Sequence, residues 1–130
     1  MKDIRPAMRL ILLADATVSG LVGGTRIFPT TMPQGEVNPS VVYHRITEGA
    51  DYVMAGGDGL LTTRLQVDAW AQKADQAAEL AGAVFDRLSG FRGDQNGVTV
   101  QGAFMVSARE DFDSVAKMYR MSRDYEVWYS

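Results

Sequence analysis

Residues 60–91 pass from the period of a strand to the period of a helix with almost no interval, and that junction limits what the chain can become. From Leu60 to Ala71, the side chains of Leu61, Leu65, Val67, Ala69 and Ala71 fall on one face. Thr62, Arg64, Gln66, Asp68 and Trp70 fall on the other. From Lys73 to Phe91 the apolar spacing becomes three and four, so Ala74, Ala77, Ala78, Ala81, Val84, Phe85 and Leu88 form one stripe. A long strand feeding a long amphipathic helix buries the two apolar sides together. This pair forms the centre of a small mixed domain.

The flanking segments fit around it. Asp3 is placed to cap a helix with Pro6 in its first turn, and Met8, Leu10, Ile11, Leu12, Leu13 and Ala14 carry that helix to Asp15 or Ala16. Leu21 and Val22 close a further short helical turn, stopped by Gly23 and Gly24. Residues 26–28 read as a brief strand and residues 29–39, with three prolines and a glycine, as an extended surface loop. Residues 40–47 are β-branched and aromatic, a strand, and the glycines of residues 48–59 make a hairpin connection or loop. Beyond the helix, Gly93 is a stop and residues 94–97 a turn. Val98, Val100, Phe104, Val106 and Ala108 then alternate as a strand with Gly102 as a bulge. Residues 110–113 read as an acidic connection, with one helical turn through Met118. Tyr119, Met121, Tyr125, Val127 and Tyr129 form a last strand with Trp128 on its opposite face. The order helix, strand, strand, helix, strand, strand predicts an α+β fold. Its sheet is mostly antiparallel and four-stranded, with two main helices packed on one face of a single domain over residues 1–130.

With 46% hydrophobic residues the chain has enough apolar surface for a core of its own. It has no cysteine, which excludes disulfides, thiolate metal sites and cysteine nucleophiles. Its 13 Lys and Arg are scattered and outnumbered by 16 Asp and Glu, so the basic footprint of a dedicated nucleic-acid binder is missing. No apolar run approaches the roughly 18 residues of a membrane span. The run at residues 8–14 is closed by Asp15, too short for a signal core, and the chain reads as soluble and cytosolic when synthesised.

Candidate chemistry is sparse. His44 is the only histidine, and as a general base it needs a nearby carboxylate. One histidine and no cysteine do not make a zinc site. The glycine runs at 20–24 and 55–59 lack the Lys-Ser or Lys-Thr of a phosphate loop and the strand-to-helix context of a dinucleotide fingerprint. Asp111 and Asp113 with Glu110 offer too few ligands for a calcium loop. Ser19, Ser40, Ser89 and Ser107 lack the flanks of a nucleophile elbow. No catalytic residue, metal or cofactor is assigned. What remains is an aromatic surplus on strand faces that ought to be wet, at Trp70 and Trp128. Either the 29–39 loop covers them, or they belong to an interface, where such side chains concentrate.

The order of short motifs resembles the tail-completion (tail terminator, or tail-to-head joining) family of long-tailed bacteriophages and prophages. The matching pieces are Leu21-Val22-Gly23-Gly24, Arg26-Ile27-Phe28-Pro29, Pro39-Ser40-Val41-Val42-Tyr43-His44-Arg45-Ile46, Gly57-Asp58-Gly59-Leu60, Arg64-Leu65-Gln66-Val67-Asp68-Ala69-Trp70-Ala71 and Leu88-Ser89-Gly90-Phe91-Arg92-Gly93. The resemblance implies a non-enzymatic structural subunit of the virion, made in the host cytoplasm. It implies a hexameric ring at the head-proximal end of the tail that caps the tube and receives the head connector. The implied partners are other copies of itself, the major tail tube protein, the connector or stopper, and genomic DNA in transient, non-specific contact. No membrane or cofactor is implied. In such a ring Arg64, Asp68, Trp70 and Trp128 are candidates for the subunit interface. Asp51, Tyr52 and Asp58, with Glu110, Asp111 and Asp113, are candidates for loops that dock tube or connector. Two other readings stand beside it: a head-completion or stopper protein, and a small ligand-binding or enzymatic domain with a polar pocket around His44.

Overall fold

The structure, a computed structural model, describes residues 3–51 and 60–130, and of residues 47–51 the backbone alone. In chain order the elements are α1 (Ile4–Leu13), α2 (Ala16–Leu21), β1 (Ile27–Pro29), β2 (Ser40–Asp51), β3 (Leu60–Ala71), α3 (Ala74–Leu88), β4 (Gly93–Gln95), β5 (Val98–Asp113) and β6 (Met118–Tyr129).

Side-chain caps set the starts of the first two helices. Asp3 accepts from the Arg5 N–H at 3.0 Å and opens α1. Asp15 accepts from the Val18 N–H at 3.0 Å. The residue expected to end the first helix therefore begins a second one, because a short carboxylate in extended backbone satisfies the free N–H groups of the next turn. Gly23 follows at φ +62°, where a Cβ would stand 2.5 Å from the Arg26 guanidinium. That guanidinium donates to Pro39 O at 2.8 Å and ties the end of the proline loop to the start of β1.

The strands form one sheet in the order β1-β2-β3-β6-β5-β4. Every pairing is antiparallel except β1 with β2. All three helices lie toward one face. α3 packs on β3 and β6, while α1 touches β1, β2 and also β4, so the sheet curls until both of its edges reach the first helix. Arg87 on α3 donates to Ile11 O at 2.9 Å and Arg9 on α1 donates to Ile27 O at 3.1 Å, pinning helix to helix and helix to edge. Between the layers lie Ile4, Met8, Ile11, Leu12, Leu65, Leu80, Leu88, Tyr125 and Tyr129, all essentially without solvent contact. Each such aliphatic side chain contributes roughly 1.5–3 kcal/mol on leaving water.

The α+β class holds, and the sheet and helix counts are corrected: six strands rather than four, and three helices rather than two. The additions to the counts are short pieces: β1, the brief strand expected near residues 26–28, which pairs with β2 across the proline loop; β4, which forms a tight hairpin with β5; and α2, the short helical turn capped by Asp15. A second correction concerns residues 110–113, which continue β5 to Asp113 and form no acidic connection. A single helical turn follows, the Lys117 N–H donating to Asp113 O at 2.7 Å, and Met118 already begins β6. Asp113 Oδ1 accepts from the N–H groups of Val115 and Ala116, both at 2.9 Å, and Lys117 turns the chain at φ +57°. A third concerns α3, which runs from Ala74 to Leu88 and buries Ala77, Leu80, Ala81, Val84 and Leu88, while Ala74, Ala78 and Phe85 face solvent.

Candidate interaction surface

Period two along β3 and β6 sends one set of side chains into the core and the other to the face that carries no helix. The register lines up Thr62 with Trp128, Arg64 with Glu126, Gln66 with Asp124, Asp68 with Ser122 and Trp70 with Arg120. Arg64, Asp68, Trp70 and Trp128 therefore share the helix-free face, together with Phe104, Ser107, Arg109 and Asp111 from β5.

Arg64, Asp68 and Trp70 are engaged within the chain. Asp124 is only 5% exposed, walled in by the long side chains around it. Arg64 donates to its Oδ2 at 3.0 Å and Arg109 to its Oδ1 at 3.2 Å. Arg109 also donates to Gln66 Oε1 at 3.2 Å, and Gln66 Nε2 donates to Asp68 Oδ1 at 2.9 Å. A buried carboxylate must be paired or bonded to stay charged. Here one chain of charge-assisted bonds across three strands serves both Asp124 and Asp68.

Beside it, Arg120 holds Asp111 through two bonds, one of them Nε to Oδ1 at 2.9 Å, and lies 5.3 Å from the centre of the Trp70 ring. The hydrogen bond from Arg120 lowers the pKa of Asp111, and Asp111 in turn raises that of Arg120.

Residues 30–32 of the proline loop reach over one corner of this face, so Trp70 is half-buried, partly under its own chain. Between loop and sheet lies a hollow of about 350 Å³ bounded by Thr31, Met32, His44, Asp68, Trp70 and Arg120. His44 Nδ1 and Trp70 Nε1 are buried there without a hydrogen-bond partner. Trp128, also half-buried, stands at the other end of the face opposite Gly102, over which the Phe104 ring lies.

The docking-loop candidates divide. Asp51 ends β2, and Tyr52 and Asp58 lie outside the described residues. Glu110, Asp111 and Asp113 stand on a strand: Glu110 lies 3.9 Å from Arg123, Asp111 is held by Arg120, and Asp113 caps the turn. Sequence reasoning missed the exposed apolar side chains of β5. Phe104 and Val106 were read as alternating in step with Val98 and Val100, yet those two are buried while Phe104 and Val106 are 53% and 47% exposed. The expected bulge at Gly102 is present, and a further shift follows at Val106. Each extra residue flips every later side chain to the other face, which the alternation read from sequence had not carried through.

Among the described residues no group of three or more His, Cys, Asp or Glu is placed to hold a metal ion. Among the same residues no helix is long and apolar enough to cross a membrane.

Comparison with known proteins gives this surface a setting. A chain from a solved structure described as the virion of a native gene transfer agent particle matches at 19% identity and a TM-score of 0.73. The match covers 97% of this chain and 93% of that one. Another solved chain matches at 10% identity and a TM-score of 0.62, covering 97% of this chain and 95% of its own. Both show that the fold is shared. A search of curated proteins returned no match. The family model described as tail completion protein gp17 matches residues 6–130, so the chain belongs to the phage tail-completion family and is a structural protein of the virion tail.

Proposed function

We propose that copies of this chain form a ring at the head-proximal end of the phage tail, cap the tube there and present the surface to which the head connector docks. The observation that carries this reading is the family match across residues 6–130. The helix-free face supports it, because a one-sided layer with Trp70 and Trp128 on its open side suits contact with other macromolecules.

Within the ring we place Arg64, Asp68, Trp70 and Trp128 toward neighbouring subunits. Asp51, Tyr52 and Asp58, together with Glu110, Asp111 and Asp113, face the tube or the connector. The hexameric count is the one that family resemblance suggests. DNA passes through the lumen without a dedicated binding site. Purified protein added to tails and filled heads from a lysate that lacks it restores infectious particles on this account. Trp70→Ala and Trp128→Ala restore fewer. Failure of the wild-type chain to join the two would sink the reading.

One observation favours a second reading, a small-ligand site, and that is the hollow beside His44. Its unpartnered nitrogens are sealed from solvent rather than offered to it, which makes it the weaker reading. A metabolite retained by the purified protein and lost in His44→Ala would establish it.

A further inference from the structure

Both edges of the sheet are paired over only part of their length. β4 covers β5 at residues 98–100, and the Gly90 N–H takes Ala103 O at 2.9 Å. Past that point no strand among the described residues lies on the outer side of residues 104–113. At the opposite edge β1 covers β2 at residues 41–43, and no described strand lies outside residues 44–51.

A bare edge is a template for another chain, and proteins commonly blunt it with lysine or proline. Residues 104–113 read Phe-Met-Val-Ser-Ala-Arg-Glu-Asp-Phe-Asp and residues 44–51 His-Arg-Ile-Thr-Glu-Gly-Ala-Asp, with neither. Apolar side chains stand exposed on both edges: Phe104, Met105 and Val106 on one, Ile46 on the other.

We propose that the 104–113 edge of one copy pairs with the 44–51 edge of the next, so that the sheet continues from subunit to subunit. This inference rests on the ring reading and says how the ring is joined. The topology fixes the sense of the joint. Three successive antiparallel pairings separate β2 from β5, so a neighbour's β2 laid beside β5 in a continuing sheet runs antiparallel to it.

An antiparallel overlap of the two stretches sets His44 opposite Asp113, both on the helix-free face. The contact is heterologous, one edge meeting a different edge, and such contacts generate rings when the rotation closes. Both stretches are the C-terminal parts of strands that run antiparallel, so they lie toward opposite ends of the sheet and successive copies join with an offset along the strand direction. The bulges at Ile46 and Val106 have a competing use as guards against pairing. The test separates the two.

The chain has no cysteine, so an introduced pair reports a single contact. Particles assembled with Ile46→Cys, combined in turn with a cysteine at each position from 104 to 112, are oxidised and run without reductant. Expected is a ladder of multiples of the chain, strongest at alternate positions of β5, with monomer alone from every single-cysteine control. Protein present in particles but monomeric in all combinations, or cross-linked without the two-residue period, overturns the edge joint and leaves the ring reading standing. Absence of the wild-type chain from particles overturns the ring reading itself. The double variant Met105→Lys with Val106→Lys alters side chains already exposed and keeps its melting temperature, yet enters particles about tenfold less. Incorporation at the wild-type level overturns the joint.

Discussion

Asp124 Oδ2 lies 3.0 Å from Arg64 Nη2, on a side chain only 7% exposed, while the arginine that meets it is 42% exposed. The carboxylate is buried by its own partners, Arg64 from one strand and Arg109 from another. Asp124→Ala takes away the carboxylate that two guanidinium groups share, leaving Arg109 its bond to Gln66, and costs roughly 1–3 kcal/mol, less than a fully buried pair because both arginines reach water. Arg64→Ala leaves Arg109 in place and costs under about 1 kcal/mol. Denaturant unfolding of the two variants checks this. Equal losses would show that the arginines do not substitute for each other.

Tyr125 is buried against the helices with its hydroxyl unpartnered, and burial pushes its pKa up to about 12. Tyr125→Phe removes a polar group that gains nothing inside, so stability holds or rises by about 1 kcal/mol. The sign with pH follows from the raised value. Tyr125 lends stability to the folded state below its ordinary pKa of 10, and that share is lost as pH climbs through 10 toward 12. Ultraviolet titration of wild type against Tyr125→Phe isolates the step. Ionisation of Tyr125 near pH 10 in the folded protein would contradict the burial argument.

Asp3 behaves in the opposite sense. The Arg5 side chain bonds to it and holds its pKa down at about 2, from an ordinary 3.8. Its contribution to the start of α1 is fully present above pH 3.8 and is lost as pH falls toward 2. Carboxyl-carbon NMR should give a midpoint near 2 in the wild type and a higher one in Arg5→Ala. An unmoved midpoint in the variant would remove Arg5 as the cause.

Gly23 and Gly24 both turn in the left-handed region, but only Gly23 has the Arg26 guanidinium where a Cβ would go. Gly24→Ala costs backbone strain alone, about 1–2 kcal/mol. Gly23→Ala costs more, because Arg26 must release Pro39 O as well. Adding Arg26→Ala to each variant tests this: the difference between the glycine sites should vanish, and its persistence would place the cause elsewhere.

Much of this architecture was legible in the residues. The period-two face of β3 and the apolar stripe of α3 are local patterns, and the structure keeps most of both. The brief strand expected at 26–28 is β1, but three residues carry no period that would name β2 as its partner; β4 was hidden because Gly93 and residues 94–97 read as a stop and a turn, and that turn closes a tight hairpin with β5. The reach of β5 to Asp113 was hidden by its composition. Glu110 and Asp111 look like a loop until Arg123 and Arg120 come beside them from β6. Arg64, Asp68 and Trp70 were readable as one face, but Asp124, which holds Arg64 there, was not. Only the register across β3 and β6 brings those two together.

Electron microscopy of a lysate from a phage or prophage with this gene deleted tests the central claim most directly. The ring-cap account predicts filled heads beside unattached tails, some longer than normal. Empty or leaking heads would point instead to a head-completion role, and intact infectious particles would contradict the account.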